Sequence, residues 1–253
     1  MSYAARVPGG PAPRVWAHRG ARREAPENTV AAFARARAIG ADGVELDARR
    51  SADDVVVVHH DPTARRVGVL AEAPFPVVRA ARPDIPTLEE ALDACAGVTV
   101  NVELKNLPGQ RDYDPTERLA ALVAATLARR GHRDDALVSS FNLETLDRFR
   151  GLAPSPTGFL TLRGFDPVVA LGLVAERGHH ALHPDVRGVD PRRAATLVDA
   201  ARTAGLAVHV WTVNRRATIV ELAAAGVDAV ITDVPALALR ALGRGAAGLS
   251  GPA

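Results

Sequence analysis

Short runs rich in β-branched residues alternate with longer segments rich in Ala, Leu and Arg along the whole chain. The spacing predicts eight strands, in the stretches RVWAH, GVELDA, VTVNVEL, ALVSSF, PTGFL, HALHP, LAVHVWTV and DAVITDV. Each run is followed by a helical pattern, and the first three helices are expected near residues 29–39, 88–94 and 117–130. Eight such units predict an α/β fold built as a closed parallel (β/α)8, or TIM, barrel. A doubly wound open sheet is the alternative.

The size and charge of the chain fit this expectation and exclude several classes of partner. Its 253 residues match the length typical of such a barrel, with a single domain expected over about residues 13–243. The formal charge is +2 and charges of both signs are interspersed, so nucleic acid is not an expected partner. No apolar run resembles a membrane helix or a secretory signal, so we expect no integral membrane segment and a cytoplasmic location. Residues 1–12 and the tail from about Arg244 are expected to fray.

Polar residues close most of the predicted strands. Because the active site of a parallel barrel lies at the carboxyl ends of its strands, these residues are the first candidates for function. They are His18, Arg19, Glu45, Asp47, Glu103, Lys105, Ser140, Asn142, His183, Trp211 and Asn214.

Three acidic residues are expected to face one pocket. Glu45 and Asp47 are two residues apart and so lie on one face of a strand, and Glu103 lies on the neighbouring strand. Mutual repulsion would drive such carboxyl groups to take up protons, whereas a hard divalent cation accepts all-oxygen ligands. The spacing therefore predicts one bound Mg²⁺ or Ca²⁺ ion. Surface carboxylates paired with arginines are the alternative.

Two histidines are candidates for proton transfer beside that ion. The stretch ARRSADDVVVVHHDP predicts a β-hairpin that returns along the second strand. An even-numbered loop is favoured, in which His60 would face the carboxylates and His59 would point away, whereas a three-residue loop with a bulge would invert this choice. His18 and His60 together would supply a general base and a general acid near neutral pH. Metal ligation or a purely structural role is the alternative for each.

Two cationic side chains bring positive charge to the same pocket. Arg19 offers a planar fork for phosphate oxygens, and Lys105 offers a compact point charge. Lys105 is the single lysine among the 31 lysines and arginines of the chain. A guanidinium group would be too broad for a slot shared with a metal and its ligands, which accounts for this lysine. Chance survival of one lysine is the alternative.

Taken together, these residues resemble the glycerophosphodiester phosphodiesterase family. The matching stretches run in order through nearly the whole chain: AHRG, PENT, GVELDARRSADDVVVVHHDP, NVELK, SFN, VWTVN and GVDAVITDVP. The set HRG, ELD, HD and ELK at these separations is highly specific, whereas PENT or WTVN alone would be weak. The resemblance implies a metal-dependent hydrolase on a TIM barrel, which cleaves glycerophosphodiesters to sn-glycerol 3-phosphate and an alcohol.

The resemblance also implies roles for individual residues. Position by position, Glu45, Asp47 and Glu103 match the family's metal carboxylates. His18 and His60 match its acid/base pair, and Arg19 and Lys105 match its phosphate contacts. Trp211 matches an aromatic residue near the glycerol or leaving group, with a place in the barrel core as the alternative. Residues 62–86 correspond to a variable insertion for which a passive loop is favoured, with a small lid in which Phe75 shapes leaving-group choice as the alternative. Formation of a homodimer, and the roles of His59, His183 and His209, stay open.

Other functions on the same barrel remain as alternatives. A lysophospholipase D or a phosphoinositide-cleaving lipase would need an apolar rim, which an aromatic content of 4% supports poorly. A catalytically silent sensor of phosphate ligands would not need both histidines and all three carboxylates. A metal-dependent amidohydrolase would need a His-X-His pair where this chain has AHRG. In the favoured reaction, the attacking group is either water or a substrate hydroxyl beside the phosphate.

Overall fold

Eight parallel strands close on themselves in the part of the chain that the structure describes. The structure is a computed structural model that describes residues 12–131, 136–190 and 192–244. The strands are β1 Arg14–His18, β2 Gly43–Arg50, β3 Val56–Val58, β4 Thr63–Ala64, β5 Gly68–Val69, β6 Thr99–Leu104, β7 Ala136–Ser140, β8 Thr157–Thr161, β9 Ala181–Pro184, β10 Ala207–Val210 and β11 Ala229–Thr232. β1 pairs in parallel with both β2 and β11, and β6 to β11 follow β2 around the ring. The predicted closed barrel is confirmed, and the open sheet is excluded.

Helices cover the outer surface of the barrel, except the second along the chain, which belongs to the segment after β3. They are α1 Val30–Ile39, α2 Phe75–Ala81, α3 Leu88–Ala94, α4 Arg118–Arg130, α5 Leu143–Arg150, α6 Pro167–Glu176, α7 Ala194–Thr203, α8 Arg216–Ala225 and α9 Pro235–Ala241. Their ends have local causes in the sequence. The Thr29 hydroxyl accepts a hydrogen bond from the Ala32 backbone at the start of α1, and Gly40 ends that helix at a φ of 87°. The outward side chains of the strands pack against these helices, so the inward side chains line the barrel interior.

One tryptophan and two histidines pack together inside the barrel. The ring of the buried Trp16 lies 4.7 Å from that of His209, whose Nδ1 atom lies 2.8 Å from His183 Nε2. A Cβ atom at Gly43 would clash with the Trp16 ring, and one at Gly158 would clash with the His183 ring. Burial lowers the pKa of each imidazole to about 3. His183 and His209 are therefore neutral groups of the packed interior.

The hairpin after β2 has a different register from the one predicted. β3 runs antiparallel to β2 with Ala48 opposite Val58, so paired residues have numbers whose sum is even rather than odd. The cause is an odd-numbered loop at residues 51–55, closed by a hydrogen bond from the Ser51 backbone to the Val55 carbonyl. The prediction of an even-numbered loop was therefore wrong. β3 also ends at Val58, before either neighbouring histidine.

Residues 62–86 form a small layer beside this hairpin. β4 and β5 pair antiparallel and α2 follows them. Leu70, Val78 and Ile85 are buried there against Val57 of β3, in an apolar cluster separate from the main core. The Phe75 ring lies under the Arg79 guanidinium group at 4.9 Å. This layer therefore has its own packing, which holds it to the outer side of the hairpin.

The C-terminal end of the described chain is held by one ion pair. The Arg244 guanidinium group donates to both carboxylate oxygens of Asp42, at 2.7 and 2.6 Å, so the start of the predicted loose tail is anchored. The other residues expected to fray, 1–11 and 245–253, lie outside the described ranges. No helix within those ranges has the length and apolar character needed to cross a membrane. The single-domain organisation and the cytoplasmic location stay predictions, and the formation of a homodimer stays open.

Candidate active site

Three buried carboxylates converge at the carboxyl ends of β2 and β6. These strands pair in parallel with Glu45 opposite Asn101 and Asp47 opposite Glu103, so side chains of the same parity point to the same interior face. One oxygen from each of Glu45, Asp47 and Glu103 lies within 4.8 Å of the other two. All three residues are buried, so they are not surface carboxylates.

The chemistry of this cluster fits a hard cation. Among the described residues, Glu45 Oε1 is a buried oxygen that accepts no hydrogen bond. Burial raises the pKa of Glu45 well above its usual range, with a further rise from the charges of Asp47 and Glu103. Burial also raises the pKa of Glu103. Open oxygens in an all-oxygen donor set are what Mg²⁺ and Ca²⁺ require, so the residues present fit such an ion.

Lys105 lies inside the carboxylate cluster. Its Nζ atom lies 2.6 Å from Glu103 Oε1 and 3.1 Å from Asp47 Oδ1. Burial alone would lower the pKa of this ammonium group, but the two carboxylates outweigh burial and raise the pKa to about 12. For Asp47, burial opposes ionisation, yet Lys105 and Arg19 hold its pKa below the usual range. The site therefore carries a permanent positive charge at its base.

Arg19 contacts the same cluster through its backbone and its side chain. It adopts a left-handed conformation with φ of 55°, and its backbone N–H donates to Glu45 Oε2 at 3.0 Å. Its Nε atom lies 3.0 Å from Asp47 Oδ2, and Nη1 donates to Glu27 Oε1 at 2.9 Å. This turn places both the guanidinium group and a backbone donor beside the carboxylates.

His18 ends β1 with its two ring nitrogens in different surroundings. Nδ1 lies 2.7 Å from Asp233 Oδ1, and Nε2 lies 3.9 Å from Glu45 Oε2. Burial would raise the pKa of Asp233, but the hydrogen bond with His18 and further polar contacts lower it to about 2. An ionised Asp233 can only accept a hydrogen bond, so Nδ1 carries the proton. Nε2 is then the ring nitrogen on the side of Glu45 that is left to exchange a proton.

His60 lines the cavity and His59 does not. β3 ends at Val58, and one further hydrogen bond, from the His59 backbone N–H to the Asp47 carbonyl, continues the pairing with β2. His60 lies beyond this bond, so strand alternation no longer decides where its ring points. His60 Nδ1 lies 2.7 Å from Asp61 Oδ1, which leaves Nε2 for a substrate. Burial lowers the pKa of His60, and Lys105 lowers it further. The choice of His60 over His59 matches this placement, although the register argued for it was wrong.

These groups line a cavity of about 420 Å³ at the carboxyl end of the barrel. Its walls are formed by His18, Arg19, Glu45, His60, Asn101, Glu103, Lys105, Leu107, Pro108, Gln110, Phe141, Leu160, Leu162, Trp211 and Ile231. The Trp211 indole N–H donates to the His183 carbonyl at 2.8 Å, and its ring meets Phe141 edge to face at 5.5 Å. One side of the cavity is charged and the other is apolar.

Residues 62–86 do not contribute to this cavity. None of the described residues of that segment lines it, Phe75 included. The outer wall is built instead by Leu107, Pro108 and Gln110, which lie between β6 and α4. The idea that Phe75 shapes the leaving-group side is therefore wrong, because the segment packs on the far side of the β2–β3 hairpin.

Other polar residues at strand ends have structural contacts instead. The Ser140 hydroxyl donates to the Leu104 carbonyl, and the Asn142 side chain caps the start of α5. Asn214 Nδ2 donates to Asp233 Oδ2 at 2.7 Å. The strand-end rule thus selected some residues that support the site without lining its cavity.

The order and spacing of these groups match a known family of enzymes. The model of the Glycerophosphoryl diester phosphodiesterase family matches residues 18–237. The chain belongs to this family. The family and enzyme class implied by the sequence resemblance are therefore confirmed.

Individual glycerophosphodiester phosphodiesterases match this chain over most of its length and over most of their own. That of Caldanaerobacter subterraneus is 31% identical over 239 residues, which cover 87% of this chain and 94% of that protein. Among solved structures, a phosphodiesterase of Oleispira antarctica in complex with the product sn-glycerol-3-phosphate has a TM-score of 0.79 at 27% identity, covering 92% of this chain and 97% of that one. The glycerophosphodiester phosphodiesterase of Thermotoga maritima has a TM-score of 0.74 at 27% identity, covering 90% and 97%.

Three residues of this phosphodiesterase site escaped the reasoning from sequence. The Asp233 carboxylate forms a hydrogen bond with His18. Asp233 directly follows the last barrel strand, so a search of the residues at strand ends could have found it. Asn28, within PENT, donates to Asp47 Oδ2 at 2.7 Å. Arg49 lies two residues beyond Asp47 on the same face of β2, and a buried arginine on a strand has no signature in a single sequence.

Proposed function

We propose that this chain hydrolyses glycerophosphodiesters to sn-glycerol 3-phosphate and an alcohol, using one divalent cation and His18 and His60 as acid and base. The observation that carries the proposal is one cavity lined by Glu45, Glu103, two histidines and two cationic side chains, with Asp47 buried behind them in the same carboxylate cluster. The product bound to the Oleispira antarctica relative supports the choice of product.

The carboxylates are proposed to hold the cation. Glu45, Asp47 and Glu103 would bind Mg²⁺ or Ca²⁺, and the short distances among their oxygens and the open Oε1 atom of Glu45 support this. The bound ion would supply positive charge that stabilises negative charge on the phosphate in the transition state. Arg19 and Lys105 then bind the non-bridging phosphate oxygens from the protein side.

The histidines are proposed to move protons on opposite sides of the phosphorus. One imidazole accepts the proton of the attacking oxygen, and the other donates a proton to the leaving alkoxide. Asp233 and Asp61 each engage the Nδ1 atom of one ring, so Nε2 is the reactive nitrogen in both. The attacking group is either water or the glycerol hydroxyl beside the phosphate.

The decisive experiment measures products with and without a cation. We expect glycerophosphocholine and glycerophosphoethanolamine to release sn-glycerol 3-phosphate with Mg²⁺ or Ca²⁺ and to stay intact with a chelator. Phosphocholine as the product would contradict the proposal, because it requires cleavage of the other ester bond. A substrate without the hydroxyl beside the phosphate distinguishes the two attacking groups, since water alone can then attack.

Substitution of the histidines tests their roles. His18→Ala and His60→Ala should each lower kcat by about 10²–10⁴-fold, the usual contribution of a general acid or base. His59→Ala is the matched control, because it removes the neighbouring imidazole outside the cavity wall. Normal turnover by His60→Ala would overturn its assigned role.

A second candidate is cleavage of lysolipids by the same site. The apolar side of the cavity extends through Leu160 to Leu162, which is 59% exposed at the rim. A lysolipid substrate needs an apolar rim, and this wall provides one although the aromatic content of the chain is low. Assays of lysophosphatidylcholine beside glycerophosphocholine, with Leu162→Asn as the variant, test it. A lysolipid preference that Leu162→Asn reduces would favour this candidate.

A further inference from the structure

A buried arginine lies just above the carboxylate cluster. Arg49 follows Asp47 by two residues on the same face of β2, and only 1% of its surface is exposed. A buried guanidinium group is costly unless its charge is compensated and its donors are paired. Asp112 compensates the charge through a direct ion pair with Nη1. The remaining donors are directed to two parts of the cavity wall.

The first of these is the backbone of His60. Arg49 Nε and Nη2 donate to the His60 carbonyl oxygen, at 2.8 and 2.6 Å. His60 lies beyond Val58, the last residue of β3, so the strand ladder does not fix its position. Two hydrogen bonds from a charged, planar group hold this carbonyl in both distance and direction.

The second is the side chain of Gln110 in the loop between β6 and α4. Arg49 Nη2 donates to Gln110 Oε1 at 3.0 Å. Because the oxygen of the amide faces Arg49, its NH₂ group is turned away from the guanidinium group. Gln110 lines the cavity, as His60 does, although the two residues lie on separate loops.

We propose that Arg49 is a positioning residue that fixes His60 and Gln110 relative to each other across the mouth of the cavity. The inference rests on the proposed role of His60 in proton transfer. A shift of about 1 Å in a reacting group can lower a rate by about 10²-fold, so loss of the Arg49 bonds should lower kcat by about 10–10²-fold. KM should change less, because Lys105 and Arg19 contact the phosphate independently of Arg49.

Arg49→Lys alone is not a sufficient test, because it disturbs the pairing of Asp112 and can unfold the protein. The double variant Arg49→Met with Asp112→Leu replaces the ion pair by apolar groups of similar size, which is often neutral or stabilising. Asp112→Asn is the matched control: it weakens the ion pair but leaves both bonds to His60. Melting temperature, kcat and KM for glycerophosphocholine are measured for each protein.

The proposal requires the folded double variant to lose kcat by about 10–10²-fold while Asp112→Asn stays within about twofold of the native value. A folded double variant with native kcat, or an equal loss in Asp112→Asn, would overturn it. His60→Ala separates the two proposals. If His60→Ala turns over normally, the proposed function fails at that residue. If His60→Ala is inactive and the double variant is not impaired, only the role of Arg49 fails.

Discussion

Asp233 Oδ1 lies 2.7 Å from His18 Nδ1 at the place where the last strand of the barrel meets the first. The contact exists because the ring closes: β11 pairs with β1, with Thr232 opposite Ala17. Residues separated by most of the chain thereby share one hydrogen bond. The ionised carboxylate fixes the tautomer of the imidazole and the direction of its free nitrogen.

Asp233→Asn should lower kcat strongly, because the amide no longer requires the proton on Nδ1. We expect a loss of about 10²-fold or more, as for other histidines that lose an orienting carboxylate. Asp185→Asn is the control, since Asp185 is a buried acid that follows β9 and does not line the cavity. Native kcat in Asp233→Asn would restrict Asp233 to a structural role.

Removal of one carboxylate should have opposite effects with and without a cation. Glu45→Gln reduces repulsion among the buried acids, so the cation-free variant should melt at a higher temperature than the native protein. Saturating Mg²⁺ or Ca²⁺ should stabilise the native protein, by about 2.7 kcal/mol at 100 times its Kd, and the variant much less. Differential scanning calorimetry measures the melting temperatures with and without the cation, and Glu176→Gln, at an exposed position, is the control. Equal cation responses in Glu45→Gln and the native protein would argue against the proposed metal site.

Lys105→Arg should lower activity although it keeps the charge. Lys105 is 6% exposed and its Nζ atom already lies 2.6 Å from Glu103 Oε1, so the slot has little room for a planar guanidinium group. We expect kcat/KM to fall by about 10²-fold. Lys105→Met should in addition destabilise the fold by about 3–5 kcal/mol, because it leaves buried charges unpaired. Native kcat/KM in Lys105→Arg would mean that the single lysine survives by chance and not because the slot requires it.

The free energy of unfolding should decrease as the pH is lowered, because of the imidazole pair inside the barrel. His183 and His209 have pKa values of about 3 in the folded protein, below the value of about 6.5 in an unfolded chain. The unfolded state therefore binds more protons below about pH 6.5, and the free energy of unfolding decreases from there toward about pH 3. Each imidazole can contribute up to about 1.4 kcal/mol per pH unit. Urea unfolding between pH 7 and 4.5 should show a smaller slope for His209→Gln; an unchanged slope would contradict this account.

Strand periodicity and strand-end chemistry predicted the barrel and the position of the carboxylate cluster. Glu45, Asp47 and Glu103 obey a local rule, the alternation of side chains along paired strands, which a sequence displays directly. The hairpin register depended on whether its loop has an even or an odd number of residues. A polar run that includes Ser51 does not specify that number, so the register was wrong.

Contacts that depend on closure or on loop packing could not be predicted. The bond from Asp233 to His18 requires the ring to be closed in a particular register. The bonds from Arg49 to His60 and Gln110 require two loops to meet at a buried side chain. Nothing in the local pattern of a single chain encodes such meetings, because each partner looks like an ordinary polar residue in its own segment.

The charged groups of the cavity stand at the ends of strands or directly after them, whereas much of its apolar wall comes from connecting segments such as those that carry Leu107 and Leu162. Strand positions are fixed by the hydrogen-bonded ring, while connections between strands tolerate replacement and changes in length. Exchange of these connections between related barrels should therefore transfer the choice of alcohol without rebuilding the groups that act on phosphorus. The fold in this way makes substrate choice and bond cleavage separately adjustable.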